Sequence, residues 1–285
     1  MSVYIAIDGE VRPAAEARLP ALDRGLLYGR SVYEVLPTVK LRPLFWREHL
    51  ERLAESARRL DIALPCDAAT LRAEMAAVTA QVGGEAQLRV VLTAGDDPEY
   101  GGDGRSRRLV IGRPRVPLPP EIYEQGCALV TVRSGRRDEG MLDPRAKSAA
   151  NKLIAEGNAA AAHAKGAHEA LRVDPLGRVL EGATSTFFAV LDGVLCTPPL
   201  AVGILAGITR AKVLDLAAQI GLRVAEQPLH EADLDRLDEA FITSSSRGVL
   251  PVTRIDARRC PGPGPQTGRL AAAYDALVAA YDDGA

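Results

Sequence analysis

Lysine is scarce in this chain: Lys40, Lys147, Lys152, Lys165 and Lys212 are the only five in 285 residues, so nearly all of the 35 positive charges are arginine. Aromatic residues are few as well, 4% of the chain with a single tryptophan. Neither sign of charge dominates, since 35 basic residues stand against 37 acidic ones for a formal charge of -2, with no long run of either sign. Proteins that bind nucleic acid or a membrane surface need concentrated positive potential, and that class is excluded on this count. No apolar run reaches bilayer-spanning length. The opening "MSVYIAIDGEV" alternates like a strand and has no basic region leading into an apolar one, so a soluble, cytoplasmic protein is expected. Cys66, Cys127, Cys196 and Cys260 are far apart and form no CxxC pair. They read as reduced structural thiols rather than a disulfide framework or a metal set, and no metal site is expected.

What is present alternates between strand and helix patterns. "VYIAIDG" with "EVRP" reads as a hairpin turning at Asp8-Gly9. "SVYEVLPTV" is a strand. "FWREHLERLAESARRLDI" is an amphipathic helix, with Leu50, Leu53, Ala54, Ala57 and Leu60 at helical spacing. A second helix is expected over about 67–82, then strands at "QLRVVLTAG" and "RRLVIGR". Four prolines between positions 114 and 120 interrupt any regular element. They place a linker at 116–121 between an N-terminal α/β domain, 1–115, and a C-terminal domain, 122–285. The second part carries strands at "CALVTVRS", "EALRVDPLGRVLEG", "TFFAVLDGVLCTP" and "DEAFITSS". Helices are expected at about 208–220 and 266–281. The expected class is mixed α/β, two domains each built of a sheet with helices on it.

Two of the rare lysines open "KSAANKLIAEGNAAAAHAKG". Ser148 is a good N-cap for that alanine-rich helix, so Lys147 stands at a strand-to-helix junction from which it can project into a cleft. Most lysines are solvated surface charges. A lysine held in a cleft can instead be an amine nucleophile toward a carbonyl. "LEGATSTFF" follows, where Glu181 ends a strand beside small residues and could hold a cationic ring nitrogen. "GITR" places Ile208 and Thr209 in the first turn of a helix, whose unpaired N–H groups favour an anion. "TSSSRG" offers Ser245 and Ser246 as further hydroxyl and amide donors, and "WREHLERL" carries Arg47, His49 and Arg52. Guanidinium is well shaped for phosphate. Singly, each has an ordinary structural explanation. Together they match the aldehyde, pyridine nitrogen and phosphate of pyridoxal 5′-phosphate.

The series "EHLERL", "KSAANKL", "GAHEALRVDPLGRVLEGATSTFF", "GITR" and "TSSSRGVLPV" resembles the class IV, fold-type IV pyridoxal-phosphate enzymes in order and spacing over almost the whole chain. These include branched-chain and D-amino-acid aminotransferases, (R)-amine transaminases and aminodeoxychorismate lyases. The resemblance implies a small N-terminal α/β domain, a larger C-terminal mixed-sheet domain, and a homodimer with the cofactor held between the domains. It implies Lys147 as the Schiff-base lysine and proton carrier, and Glu181 as partner of the pyridine nitrogen. Arg52, Ile208, Thr209, Ser245 and Ser246 are implied around the phosphate. Many members have tyrosine where this chain has Lys152, which leaves Lys152 a supporting role near the cofactor.

Substrate residues follow the same resemblance. Tyr33 and Val35 match the alternation of the D-amino-acid type, and Val35 stands where the lyases have threonine. The Arg-x-His carboxylate trap of that type is missing, because Glu99 and Gly101 occupy its positions. Arg30, in "YGRS", and Arg89, in "QLRVVL", are the candidates to hold a substrate carboxylate instead. The expectation is therefore an atypical D-amino-acid aminotransferase passing the amino group to a 2-keto acid. A branched-chain L-amino-acid or (R)-amine transaminase is the alternative, with a lyase or a non-catalytic cofactor-binding relative further behind.

Overall fold

A computed structural model describes residues 2–133 and 143–282 of the chain. The chain divides into two compact units, and the division is not a single cut. The first unit takes the chain up to Val116, the segment Ala146–Lys152, and the chain from Val278 onward; the second takes the rest. The boundary after Val116 falls in the proline-rich stretch. The lysine segment, placed wholly in the C-terminal part on sequence, is counted with the first unit, because backbone bonds tie it there.

In the first unit six strands form one antiparallel sheet. They are β1 (Tyr4–Ile7), β2 (Glu10–Pro13), β3 (Ser31–Val39), β4 (Arg42–Pro43), β5 (Ala86–Thr93) and β6 (Arg107–Pro114), in the order β2-β1-β6-β5-β3-β4. Ile7 pairs with Glu10 across a two-residue turn in which Asp8 and Gly9 both have positive φ, as the mirror-image hairpin turns require. Helix α1 (Arg24–Tyr28) is short; α2 (Trp46–Arg59) and α3 (Ala68–Val82) bring apolar stripes to the sheet. Leu50, Leu53, Met75 and Val78 from these helices form one core with Val32, Leu36, Leu88, Val90 and Val110. Because strand side chains alternate, Val32, Glu34 and Leu36 share the face toward α2, while Tyr33 and Val35 point the other way.

The second unit holds a ten-stranded mixed sheet. Its elements are α4 (Pro120–Gln125), β7 (Cys127–Arg133), β8 (Glu169–Val173), β9 (Arg178–Gly182), β10 (Thr186–Leu191), β11 (Val194–Thr197), α6 (Ile208–Gln219), β12 (Val224–Glu226), β13 (Leu229–His230), β14 (Glu239–Ser244), β15 (Gly248–Ile255), β16 (Arg258–Arg259) and α7 (Pro265–Ala280). Helix α5 (Ala149–Ala164) lies between β7 and β8 in the chain, and those two strands are parallel. A parallel pair needs such a crossover. Alanines let the helix approach closely: Ala162 is buried with Ala128, Val130 and Ala170 on one face of the sheet. The opposite face carries Leu129, Leu171, Phe187, Ile242, Leu250 and Val252. Both faces being covered explains why β8, β10 and most of β9 are buried at nearly every position.

Pro120 and Pro251 both sit within regular elements. Pro120 opens α4 rather than simply breaking structure, since the first helical position has no N–H to lose. Pro251 sits inside β15, a strand between β14 and β7. It is tolerated because β7 begins pairing only at Val252, so Pro251 faces a ladder partner on the β14 side alone, at Phe241. All four cysteines are unpaired thiols, and burial pushes Cys127 up to about 12 and Cys260 up to about 11. Such thiols are inert. No group able to hold a metal occurs among the described residues, nor any helix long and apolar enough to cross a membrane.

Candidate active site

In the first unit the site is built on β3 and the residues that meet it. Lys147 is seated through its backbone: its N–H donates to Ser56 Oγ at 3.1 Å, and its carbonyl accepts from Tyr33 N–H at 2.9 Å. The next residue, Ser148, bridges to Val32 and accepts Asn151 N–H at 3.2 Å, the expected N-cap of α5. The side chain then runs so that Lys147 Nζ lies 5.1 Å from the Tyr33 ring centroid. Arg89 pairs with Val35 on the neighbouring strand, hence shares that face, and its guanidinium lies 4.7 Å from the same ring. The electron-rich Tyr33 ring thus attracts two cations, the Lys147 amine among them. Arg89 is half-buried and has no hydrogen-bond or ion-pair partner among the described residues. Tyr33, Val35, Arg89 and Lys147 are therefore brought together.

Arg30 is placed differently. Its Nη2 donates to the carbonyls of Leu60 and Asp61 at 3.3 and 3.2 Å, at the C-terminal end of α2, where a cation suits the helix dipole. Lys152 stands half-buried in the first turn of α5, with its N–H donating to Ser148.

Arg52 meets a residue that sequence reasoning missed. Glu34, fully buried on the α2 side of β3, accepts Arg52 Nε and Nη2 at 2.7 Å each, a forked pair. Its Oε2 also lies 2.8 Å from His49 Nδ1. Burial alone would raise the Glu34 carboxyl, but the charges and hydrogen bonds of Arg52 and His49 outweigh it and hold it well below the usual carboxylate range. For His49 burial is the largest influence and lowers it; Glu34 opposes, while Arg52 and Lys147 push it lower still. His49 is thus a neutral imidazole orienting a carboxylate that orients Arg52. Arg47, the third basic residue of this helix start, lies instead over the Trp46 ring at 4.6 Å.

The second unit supplies the other constellation. Glu181, near the end of β9, is buried; its Oε1 accepts Arg172 Nη1 at 3.1 Å and its Oε2 accepts Leu205 N–H at 3.1 Å. Gly182 follows because a Cβ there would come within 2.1 Å of Ser185 Oγ. The segment after it is tied to the turn between β14 and β15. Buried Glu169 accepts from Thr184 and from Arg247, and Arg247 donates onward to Ser244 Oγ at 2.9 Å and Thr184 Oγ1 at 2.8 Å. That turn carries Ser245, half-buried, and Ser246, exposed.

Helix α6 starts at Ile208 with Gly207 as N-cap and no side chain capping it. A Cβ at Gly207 would stand 2.7 Å from Thr186 Oγ1, so the helix mouth closes on β10 with no room to spare. Thr209 is 2% exposed and its hydroxyl has no hydrogen-bond partner. Ser185 Oγ and Thr243 Oγ1 are likewise buried without partners. A buried unsatisfied hydroxyl costs roughly 1–3 kcal/mol, so Thr209, in the first turn of an uncapped helix, offers a hydroxyl and backbone donors of the kind an anion uses. The donor set fits the phosphate of pyridoxal 5′-phosphate. The sequence reading named Glu181, Ile208, Thr209, Ser245 and Ser246; it did not name Arg172, which meets Glu181 across the β8–β9 pair, or Glu169 and Arg247, which meet from 78 positions apart in the chain.

Comparison with known proteins agrees. Residues 31–255 match the family described as amino-transferase class IV. A putative branched-chain-amino-acid aminotransferase of Methanocaldococcus jannaschii is 34% identical, over 90% of this chain and 89% of its own. Among solved structures, the branched-chain aminotransferase of Thermoproteus uzoniensis with norvaline superposes with a TM-score of 0.89 at 27% identity, covering 99% of this chain and 97% of that one. A hypothetical aminotransferase from Mycobacterium tuberculosis, in its PLP-bound form, gives 0.86 at 26% identity, covering 97% and 98%. The D-amino-acid likeness read from Tyr33 and Val35 has no counterpart among these names. With its family profile, its fold and its phosphate-fitting donors in agreement, this chain belongs to the class IV aminotransferases, which use pyridoxal 5′-phosphate.

Proposed function

We propose that Lys147 is the residue that carries the cofactor, that Glu181 meets its ring nitrogen, and that Arg52, Ile208, Thr209, Ser245 and Ser246 serve its phosphate, with Lys152 in support. The observation that carries this reading is the seating of Lys147: backbone pinned on both sides, amine over the Tyr33 ring. When bound, pyridoxal phosphate supplies the electron sink that makes a substrate Cα–H acidic. The chain's residues do the rest. With the cofactor bound, Lys147 Nζ would take the proton from the substrate Cα as a base and would return one there as an acid in the opposite half-reaction. Glu181 stabilises positive charge on the ring nitrogen. Glu34 and His49 fix the Arg52 guanidinium, so that binding phosphate needs no reordering of a long side chain. Arg89 contacts the substrate carboxylate, because an unpartnered guanidinium beside the reactive amine is placed for that anion.

For the amino donor, branched-chain amino acids come first, since that is how the relatives are named. A D-amino acid with pyruvate or 2-oxoglutarate as acceptor is the second reading; it rests on Tyr33 and Val35 sharing a face with Arg89, while Glu99 and Gly101 stand where that type has its carboxylate trap. A panel of L-leucine, L-valine, D-alanine, D-glutamate and an (R)-amine against each keto acid decides between them. Turnover of L-leucine and L-valine alone sinks the second reading; turnover of D-alanine and D-glutamate alone sinks the first. Retained turnover in Lys147→Ala would refute the assignment of the lysine. We further propose a homodimer working in the cytoplasm. Leu22, Leu26, Leu27 and Tyr28 stand exposed around α1, an apolar surface of the kind subunit interfaces cover.

A further inference from the structure

Arg172 is a buried arginine with no place in the reading above. It lies on β8, 6% exposed, and its Nη1 reaches Oε1 of Glu181 at 3.1 Å. The other carboxylate oxygen is held by Leu205 N–H, so each oxygen of Glu181 has a protein donor and the carboxylate plane is fixed before any ligand arrives. The nearby acid Glu169, which lies against Gly182, is paired with Arg247, and Arg172 forms an ion pair with Glu181.

A buried carboxyl left alone takes up a proton, because low dielectric disfavours its charged form. Arginine stays charged under all ordinary conditions. Its charge stands close to the carboxylate and farther from any base on the other side of that carboxylate. A proton shared between Glu181 and such a base is therefore pushed off the oxygen and onto the base. We infer that Arg172 is a positioning residue that keeps the Glu181 carboxylate ionised and aimed, so that the shared proton resides on the ring nitrogen of the cofactor. This rests on the assignment of Glu181 to that nitrogen. Leucine or methionine at 172 would leave the carboxylate free to take the proton, and the ring would lose its positive charge and much of its power to withdraw electrons.

The holoenzyme is loaded with ring-15N-labelled pyridoxal 5′-phosphate, and the 15N chemical shift is read near neutral pH in wild type, R172M, R172Q, R172K and E181Q. The wild-type shift is that of a protonated pyridine. In R172M and R172Q it moves toward the unprotonated value, and in R172K it returns. R172Q retains a donor toward Oε1 and so remains informative should R172M fold poorly. The rate of the first half-reaction falls about tenfold or more in R172Q while KM moves less, as for a group acting on the transition state. A protonated shift in R172Q alongside an altered one in E181Q overturns the role of Arg172 and leaves that of Glu181 standing. An unaltered shift in E181Q overturns the Glu181 assignment, and Arg172 falls with it.

Discussion

Glu34 performs no chemistry, yet it decides where the charge of Arg52 stands. Its two oxygens take the fork of Arg52 and the ring of His49 within a fully buried space. Removing one partner of a buried pair strands the other, at a cost of about 3–5 kcal/mol. His49 adds a pH dependence whose sign can be worked out. Its value in the folded chain is lowered, mainly by burial, from an unfolded value of about 6.5. The unfolded state therefore binds the proton more readily, and the stability His49 contributes is full above about pH 6.5 and is lost as pH falls below it. The melting temperature of the wild type should drop between neutral pH and pH 5, and His49→Gln should flatten that drop; an unchanged profile would count against a neutral buried imidazole. Arg89 gives a second measurement at this scale. A charge-assisted hydrogen bond is worth roughly 1.5–3 kcal/mol, so Arg89→Ala should raise KM for amino acids by about ten- to a hundredfold. A carboxylate-free amine should be affected less. Equal effects on both substrates would show that Arg89 shapes the pocket without holding the carboxylate.

At the scale of elements, the start of α6 stores an unmet hydrogen-bonding demand. Thr209→Val keeps the shape and removes the hydroxyl that has no partner. The cofactor-free protein should melt at the same temperature or a few degrees higher, while pyridoxal phosphate binds more weakly. Titration calorimetry alongside thermal melts reads both. A variant that loses stability and keeps affinity would mean the hydroxyl is structural. Much of this element was legible in advance: "GITR" announces a helix start with glycine at its N-cap, which the fold shows. β3 was legible too, although only in part. Alternation in "SVYEVLPTV" showed that Tyr33 and Val35 share a face, yet gave no sign that Glu34 opposite them would be buried under a helix. A buried acid in a strand looks unfavourable until its partners are known, and these lie 15 and 18 positions away on α2. Arg172 is the same case at shorter separation, its partner Glu181 lying nine positions away on the next strand. Local spacing shows faces; it does not show which charges meet across elements. The D-amino-acid reading illustrates the limit, because two side chains on one face fit more than one substrate class.

For the whole molecule, the apolar residues around α1 make the association state the measurable quantity. Leu26 is 63% exposed and Tyr28 58%. A charge in the middle of such a surface should not disturb either core, so on the proposed homodimer Leu26→Glu should yield a folded protein of half the wild-type mass by light scattering, and a wild type of monomer mass would overturn the dimer. A variant that keeps the wild-type mass would move the interface elsewhere.

The unit that opens the chain is also the one that closes it. Tyr281 packs edge-on against Phe45 with centroids 5.1 Å apart, and Lys40 Nζ donates to the carbonyl of Ala279 at 2.7 Å. Ser148 bridges Val32 in between. A nascent chain emerging from the ribosome thus has every strand of the first sheet by Pro114, yet waits for residue 148 to seat its lysine and for Tyr281, just past α7, to cover Phe45. The surroundings of Lys147 are consequently completed only after the first sheet's strands have been made. Clipping the chain after Leu277 should therefore lower the melting temperature of a core that was made first.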